Sequence, residues 1–228
     1  MTGAELALLA LLGAAIYLDE WPAFQTMISR PIAVGPLTGL VLGAPAEGAL
    51  WGAVFEAIHL GFLPVGAARV PSAGLAAMAG TTAAILGAEA GPAPAALAVA
   101  VGIVAGEIGR GVDHLQRRWN GGTAERVRRG VAGGDPGALG RGVAAATARA
   151  ALLGAARTVA ALGMALGAVW FFDAGPWSGP LPGSVVRQAA IAAAAVVGAR
   201  IFVLGGARRM VWGAGVGAGA ALAWLGAA

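Results

Sequence analysis

The sequence predicts an all-α, polytopic integral membrane protein with short re-entrant helical hairpins and a Gly/Ala-rich helical core. Three observations carry that prediction. The 228 residues are 58% hydrophobic and only 11% charged, with a mean hydropathy of +0.78, whereas soluble domains carry roughly 25% charged residues. The apolar runs are continuous rather than alternating, which argues against a transmembrane β-barrel. Glycine alone supplies 39 residues. Between helices in lipid there is little hydrophobic force, so small residues that let backbones approach closely are what holds such helices together.

The whole chain, 1–228, reads as one membrane domain. Its first part, 1–90, holds an N-terminal helix and re-entrant arms. Its second part, 91–228, holds the remaining transmembrane helices and a cytoplasmic Arg-rich loop at 110–149. The start, Met1 to Glu5, has no basic segment, so residues 4–18 read as a retained membrane helix rather than a cleaved signal. Residues 31–43 are apolar but too few: at about 1.5 Å per residue they give roughly 20 Å of helix, short of a ~30 Å hydrocarbon core. Such a segment is tolerated as a re-entrant arm where protein buries its ends. Pro45 followed by Glu47 is a helix start, and that helix runs to about residue 63, before Pro64. A second short run, 73–87, precedes a turn at 89–94, and 94–108 leads into the basic segment. Residues 113–140 are polar and glycine-rich and end in the breaker Gly133-Gly134-Asp135-Pro136-Gly137. Val127 and Val131 recur there at helical spacing, which suits a short interfacial helix. Residues 143–172 read as one long helix, 173–183 as a loop flanked by Trp170 and Trp177, and 185–204 and 210–228 as the last spans, with Arg208-Arg209 between them.

Charge and missing motifs exclude several functions. The net charge of +4 comes from arginines clustered at Arg110, Arg117, Arg118, Arg126, Arg128, Arg129, Arg141 and Arg149. A basic cluster between apolar regions marks a cytoplasmic segment by the positive-inside rule, so no nucleic-acid role follows. There is no cysteine, hence no disulfide or thiolate chemistry. Neither a Gly-x-Ser-x-Gly elbow nor a P-loop is present. His59 and His114 do not form a metal motif, and no cofactor is called for.

The stretch from 29 to 72 is the most informative. It contains Arg30-Pro31, Gly35-Pro36-Leu37-x-Gly39-Leu40-x-Leu42-Gly43, Gly48, Gly52, Glu56, Leu60-Gly61 and Val65-Gly66-Ala67-Ala68, preceded by Leu18-Asp19-Glu20. This pattern resembles the membrane subunit IIC of the mannose-type (mannose/fructose/sorbose) phosphotransferase system, and the resemblance covers residues 18–86. It implies a helical sugar permease of the bacterial inner membrane with re-entrant arms and a mobile core. Sugar would bind between arms and core and move inward. The cytoplasmic IIB or IIAB protein would phosphorylate it, with phosphoryl groups drawn from phosphoenolpyruvate. Implied partners are a IID membrane subunit, in a trimer of IIC–IID heterodimers. The chain itself would be a transport subunit and not an enzyme. A second reading is a non-transporting scaffold or regulator that docks phosphotransferase proteins.

The chain departs from the family pattern at three polar positions. Ala44 stands where Leu-Gly-Asp is usual, and the lost aspartate would cap the helix at Pro45, worth about 1 kcal/mol. Pro64 stands for an asparagine, and Val70-Pro71-Ser72 stands where the family ends in aspartate. The substrate-binding residues expected are Glu56, Arg30, Gly66, Ser72 and His59. Glu56 lies above a stripe formed by Gly52, Ala49 and Gly48, so it points into protein or a polar cavity, since an ionised carboxylate facing lipid costs several kcal/mol. It either accepts hydrogen bonds from sugar hydroxyls or neutralises Arg30 or Arg69. His59 shares its helix face. Arg30 is expected to pair with Asp19, Glu20 or Glu56, or to snorkel. Gly61, Pro64 and Gly66 form either a broken helix exposing backbone groups to substrate or a tight turn. Arg157, Arg187 and Arg200 read as paired or snorkelling arginines rather than ligands.

Overall fold

The structure, a computed structural model, describes residues 1–20, 25–60, 70–88 and 94–174, and its regular elements there are all α-helical. In chain order they are α1 (Gly3–Glu20), α2 (Pro31–Val41), α3 (Pro45–His59), α4 (Ala73–Leu86), α5 (Pro94–Ala132) and α6 (Ala138–Ala174). The expected helices at 185–204 and 210–228 lie outside the described residues, as do Gly61, Pro64, Gly66, Arg69, Arg187 and Arg200.

Helices α2 and α3 form an antiparallel hairpin. Their 11 and 15 residues give roughly 16 and 22 Å of helix, each less than a ~30 Å hydrocarbon core. Gly43, at φ +75°, ends α2 in the left-handed conformation that glycine adopts without strain. The Ala44 amide then closes back on the Gly39 carbonyl at 2.8 Å. Ala44 provides no side-chain cap to α3, as its sequence anticipates. Gly35 and Gly39 of α2 face Gly48 and Gly52 of α3. A Cβ built on Gly48 would lie 2.8 Å from the Gly39 Cα, and one on Gly52 would lie 2.7 Å from the Pro31 carbonyl oxygen. The two backbones therefore touch directly, with no side-chain layer between them.

Helix α4 is the centre of the bundle, with every residue from Gly74 to Ala84 buried. The hairpin docks on it through Phe55, whose ring is fully buried against Gly80 of α4 and Gly102 of α5. Any side chain at either glycine would occupy the space of that ring. Helices α1 and α6 cross in the same manner, since a Cβ on Gly154 would lie 2.7 Å from the Tyr17 Cβ.

Helices α5 and α6 are long, 39 and 37 residues, and both are long and apolar enough to span a membrane. Here the structure corrects the sequence expectation. The segment 110–149 is not a loop but the ends of two continuous helices joined by a tight turn. Its polarity is that of a solvated helix surface, supported by ion pairs one turn apart: Glu107 with Arg110, and Glu125 with Arg128 at 2.8 Å and Arg129 at 3.5 Å. The turn falls on the expected breaker. Gly134 takes φ +80° and the Asp135 amide bonds back to the Gly130 carbonyl at 3.0 Å. The Asp135 carboxylate accepts from the Gly137 amide and pairs with Arg141. Those two contacts, the amide first, hold its carboxyl below the ordinary aspartate range.

Candidate functional site

A cavity of about 370 Å³ opens where the end of α1, the starts of α2 and α4, and the end of α3 converge. That volume lies in the ~300–1,000 Å³ range typical of small-molecule sites. Its polar wall consists of Glu20, Gln25, Ser29, Arg30, Glu56 and His59, and Pro31 and Pro71 contribute apolar surface. Three residues singled out from the sequence, Glu56, Arg30 and His59, thus meet in one place.

Two helix ends set their positions. Arg30 is the residue before α2, in extended conformation because Pro31 follows it. Its guanidinium pairs with Glu56 on the last turn of α3. The second carboxylate oxygen of Glu56 accepts the Ile32 amide at 3.3 Å, one of the orphan donors at the start of α2. Glu56 is therefore the arginine partner, and it also lines the cavity. The side chain of Arg30 is 50% exposed and that of Glu56 is 16% exposed. His59, one turn on, is anchored by its Nδ1 to the Phe55 carbonyl at 2.8 Å.

Asp19 does not pair with Arg30. Its buried carboxylate accepts the Thr26 hydroxyl at 2.7 Å and the Ser29 amide at 3.1 Å. These bonds hold the turn leading to α2, where Gln25 and Met27 take the positive φ values of 50° and 68°. Left-handed conformations at non-glycine residues are costly and persist only where the surroundings fix them.

Ser72 is buried at the N-cap of α4 and does not line the cavity. Its amide bonds to the Gly106 carbonyl of α5 at 3.0 Å, and its hydroxyl lies 3.2 Å from both Glu20 carboxylate oxygens. An aspartate here would set a second carboxylate against Glu20, whereas serine donates to it.

Sequence reasoning missed Glu20 as a cavity residue and did not find the partners of Arg157. Arg157 of α6 is buried between Glu20 at 2.8 Å and Asp113 of α5 at 3.2 Å, with the Tyr17 ring centroid 3.9 Å from its guanidinium carbon. A buried arginine needs such partners. Glu20 lies 137 residues and Asp113 44 residues from it in the chain, beyond any local spacing rule. The block Leu18-Asp19-Glu20 was the available signal. Among the described residues no group of His, Cys, Asp and Glu could hold a metal ion.

Comparison with known proteins agrees with this architecture. The sorbose-specific EIIC component of the phosphotransferase system from Lacticaseibacillus casei is 37% identical over 78 residues, 34% of this chain and 26% of that protein. A putative N-acetylgalactosamine permease IIC component 2 of Escherichia coli K12 is 38% identical over 60 residues, 26% of this chain and 45% of that protein. The matched regions thus span less than half the length of either relative. Two solved structures share the fold at 21% identity. One, the mannose transporter ManYZ in complex with microcin E492, has a TM-score of 0.63 and covers 92% of this chain and 82% of its own. The other, described only as a membrane protein, has a TM-score of 0.68 and covers 90% and 80%. Residues 4–173 match the family of the sorbose-specific IIC component of the phosphotransferase system, and the chain belongs to that family of multi-pass integral membrane proteins.

Proposed function

We propose that this chain is the sugar-translocating IIC subunit of a phosphoenolpyruvate-dependent, mannose-family phosphotransferase system. The observation that carries the reading is the cavity, in a chain of this family, lined by carboxylates, an arginine, an amide and a histidine beside proline faces. Sugar hydroxyls donate well to carboxylates, and charged acceptors make the stronger bonds. The cavity volume suits a ligand of monosaccharide size.

The α2–α3 hairpin is the re-entrant arm. Its short helices approach closely through the glycine contact and rest on α4, the protein support that a segment too short to span requires. The basic α5–α6 hairpin faces the cytoplasm by the positive-inside rule. Asp113 and Arg157 lie roughly 30 Å from its turn, at about 1.5 Å per residue, and the cavity sits at their level. A sugar released from it toward that side meets the cytoplasmic IIB or IIAB protein. The phosphoryl group is carried by those partners and not by this chain. The arginines along the hairpin can steer an acidic partner surface. A IID subunit completes the membrane assembly, in a trimer of heterodimers.

The deciding experiment is phosphoenolpyruvate-dependent uptake of sorbose, mannose and N-acetylgalactosamine by vesicles carrying the chain with its IID and IIB partners. Accumulation of a sugar phosphate inside is the expected result. An intact complex that binds and moves none of them favours the scaffold reading instead.

A further inference from the structure

Glu20 belongs to two arrangements at once. Its side chain lines the cavity together with Glu56 and Arg30. Behind the cavity, its Oε2 accepts a 2.8 Å bond from Arg157 Nη2, and its carboxylate also meets the Ser72 hydroxyl. Arg157 does not line the cavity, and its side chain is only 1% exposed. It is fixed in turn by Asp113, which accepts from Nη1 at 3.2 Å, and by the Tyr17 ring it covers.

We propose that Arg157 is a positioning residue for sugar binding, acting through Glu20, which it presents as a second carboxylate of the cavity opposite Glu56. The proposal rests on the sugar reading above. Its physical basis is the fork of the guanidinium. Arginine offers donors in a rigid plane. With one nitrogen tied to Asp113 and the face tied to Tyr17, the nitrogen left toward the cavity holds one oxygen of Glu20. The carboxylate is then set in orientation while still presenting acceptor capacity to a ligand. Glu56 is carried by the α2–α3 hairpin and Glu20 by α1, which packs on α6. A hydroxyl-rich ligand bonded to both ties the arm to the bundle, so Glu20 contributes to affinity and to the link between binding and arm position.

The test is a double-mutant cycle of Glu20→Gln and Arg157→Lys in the complete complex. It reads affinity for whichever of sorbose, mannose or N-acetylgalactosamine the unmodified complex binds most tightly, together with thermal stability. Glu20→Gln leaves Arg157 paired with Asp113, and Arg157→Lys keeps the cation while losing the fork. Each single change is expected to weaken affinity about tenfold, the loss of one charged hydrogen bond. In the Glu20→Gln background, Arg157→Lys should then add less than about twofold, because the group it positions is already gone. Equal effects of Arg157→Lys in both backgrounds, or no effect of Glu20→Gln, overturn the proposal. If Arg157→Lys does not assemble, Asp113→Asn replaces it with the same expectation, since it loosens the arginine without touching the cavity. An unmodified complex that binds none of the three sugars overturns the sugar reading as well, whereas binding with additive effects overturns this proposal alone.

Discussion

Glu56→Gln is the sharpest perturbation of the site, because the structure separates its effect on stability from its effect on binding. The glutamine retains one oxygen that can accept from Arg30, and it loses the second acceptor, which holds the Ile32 amide at 3.3 Å. Arg30 is half exposed, so removing the negative charge does not strand a buried cation. The loss in stability should be that of a surface-type pair, about 0.2–1 kcal/mol. Binding behaves differently. A charged acceptor contributes ~1.5–3 kcal/mol per hydrogen bond and a neutral one ~0.5–1.5, a difference of about 1–2 kcal/mol. That corresponds to a five- to thirtyfold loss in sugar affinity, at about 1.4 kcal/mol per tenfold. Titration calorimetry of the detergent-solubilised complex, paired with a thermal melt, reads both quantities. An assembled Glu56→Gln complex with unchanged affinity would refute the placement of sugar against this carboxylate. A collapse of assembly would refute the claim that the pair is solvent-relieved.

Four further outcomes follow from the same geometry. Gly48→Val should lower the melting temperature of the complex by overpacking, a cost of about 1–3 kcal/mol, because its Cβ would lie 2.8 Å from the Gly39 Cα, while Gly111→Ala, with nothing within 4 Å, should be silent; equal melts of the two would contradict the backbone contact. Phe55→Ala empties the seat between Gly80 and Gly102 and should cost roughly 3–5 kcal/mol, visible as increased protease sensitivity of the hairpin. Ala124→Cys, exposed on α5, should be labelled by an impermeant thiol reagent from the cytoplasmic side alone; labelling only from outside would invert the orientation proposed for the chain. The lowered carboxyl of Asp135 contributes stability to the α5–α6 turn above the ordinary aspartate pKa, and that contribution is lost as pH falls through the lowered value. Amide exchange at Gly137 should accelerate across that acidic window, and a rate flat with pH after correction for intrinsic exchange would show that the contact is not formed.

Much of the fold was legible because its determinants are local. Pro31, Pro45, Gly43 and the Gly133–Gly137 breaker mark ends of elements wherever they occur, and α2 begins and ends, α3 begins and α5 gives way to α6 close to the positions they dictate. The basic segment was misread as a loop because low hydropathy signals solvent, not irregularity; a helix stitched by Glu125 to Arg128 and Arg129 is equally polar. The candidate site was half legible. Arg30 and Glu56 lie in one compact motif and meet across the hairpin that the motif builds. Glu20 and Arg157 meet only because α1 and α6 cross at Gly13 and Gly154, and a tertiary crossing leaves no periodicity to read. Ser72 was found as a position, yet its direction, toward Glu20 and away from the cavity, depends on how α4 starts against Gly106.

The glycine contact between α2 and α3 has a mechanical consequence. Packed helices slide past one another by small shear motions that their interdigitated side chains adjust to absorb. Here the facing surfaces are bare backbone, Gly35 and Gly39 on Gly48 and Gly52, with no side chains between them to adjust. The hairpin is a stiff plate rather than a pair of sliding rods. Arg30 and Glu56 sit together at one edge of that plate, so any displacement of the hairpin as a unit carries both as a fixed pair and leaves the stretch of cavity wall they form unchanged.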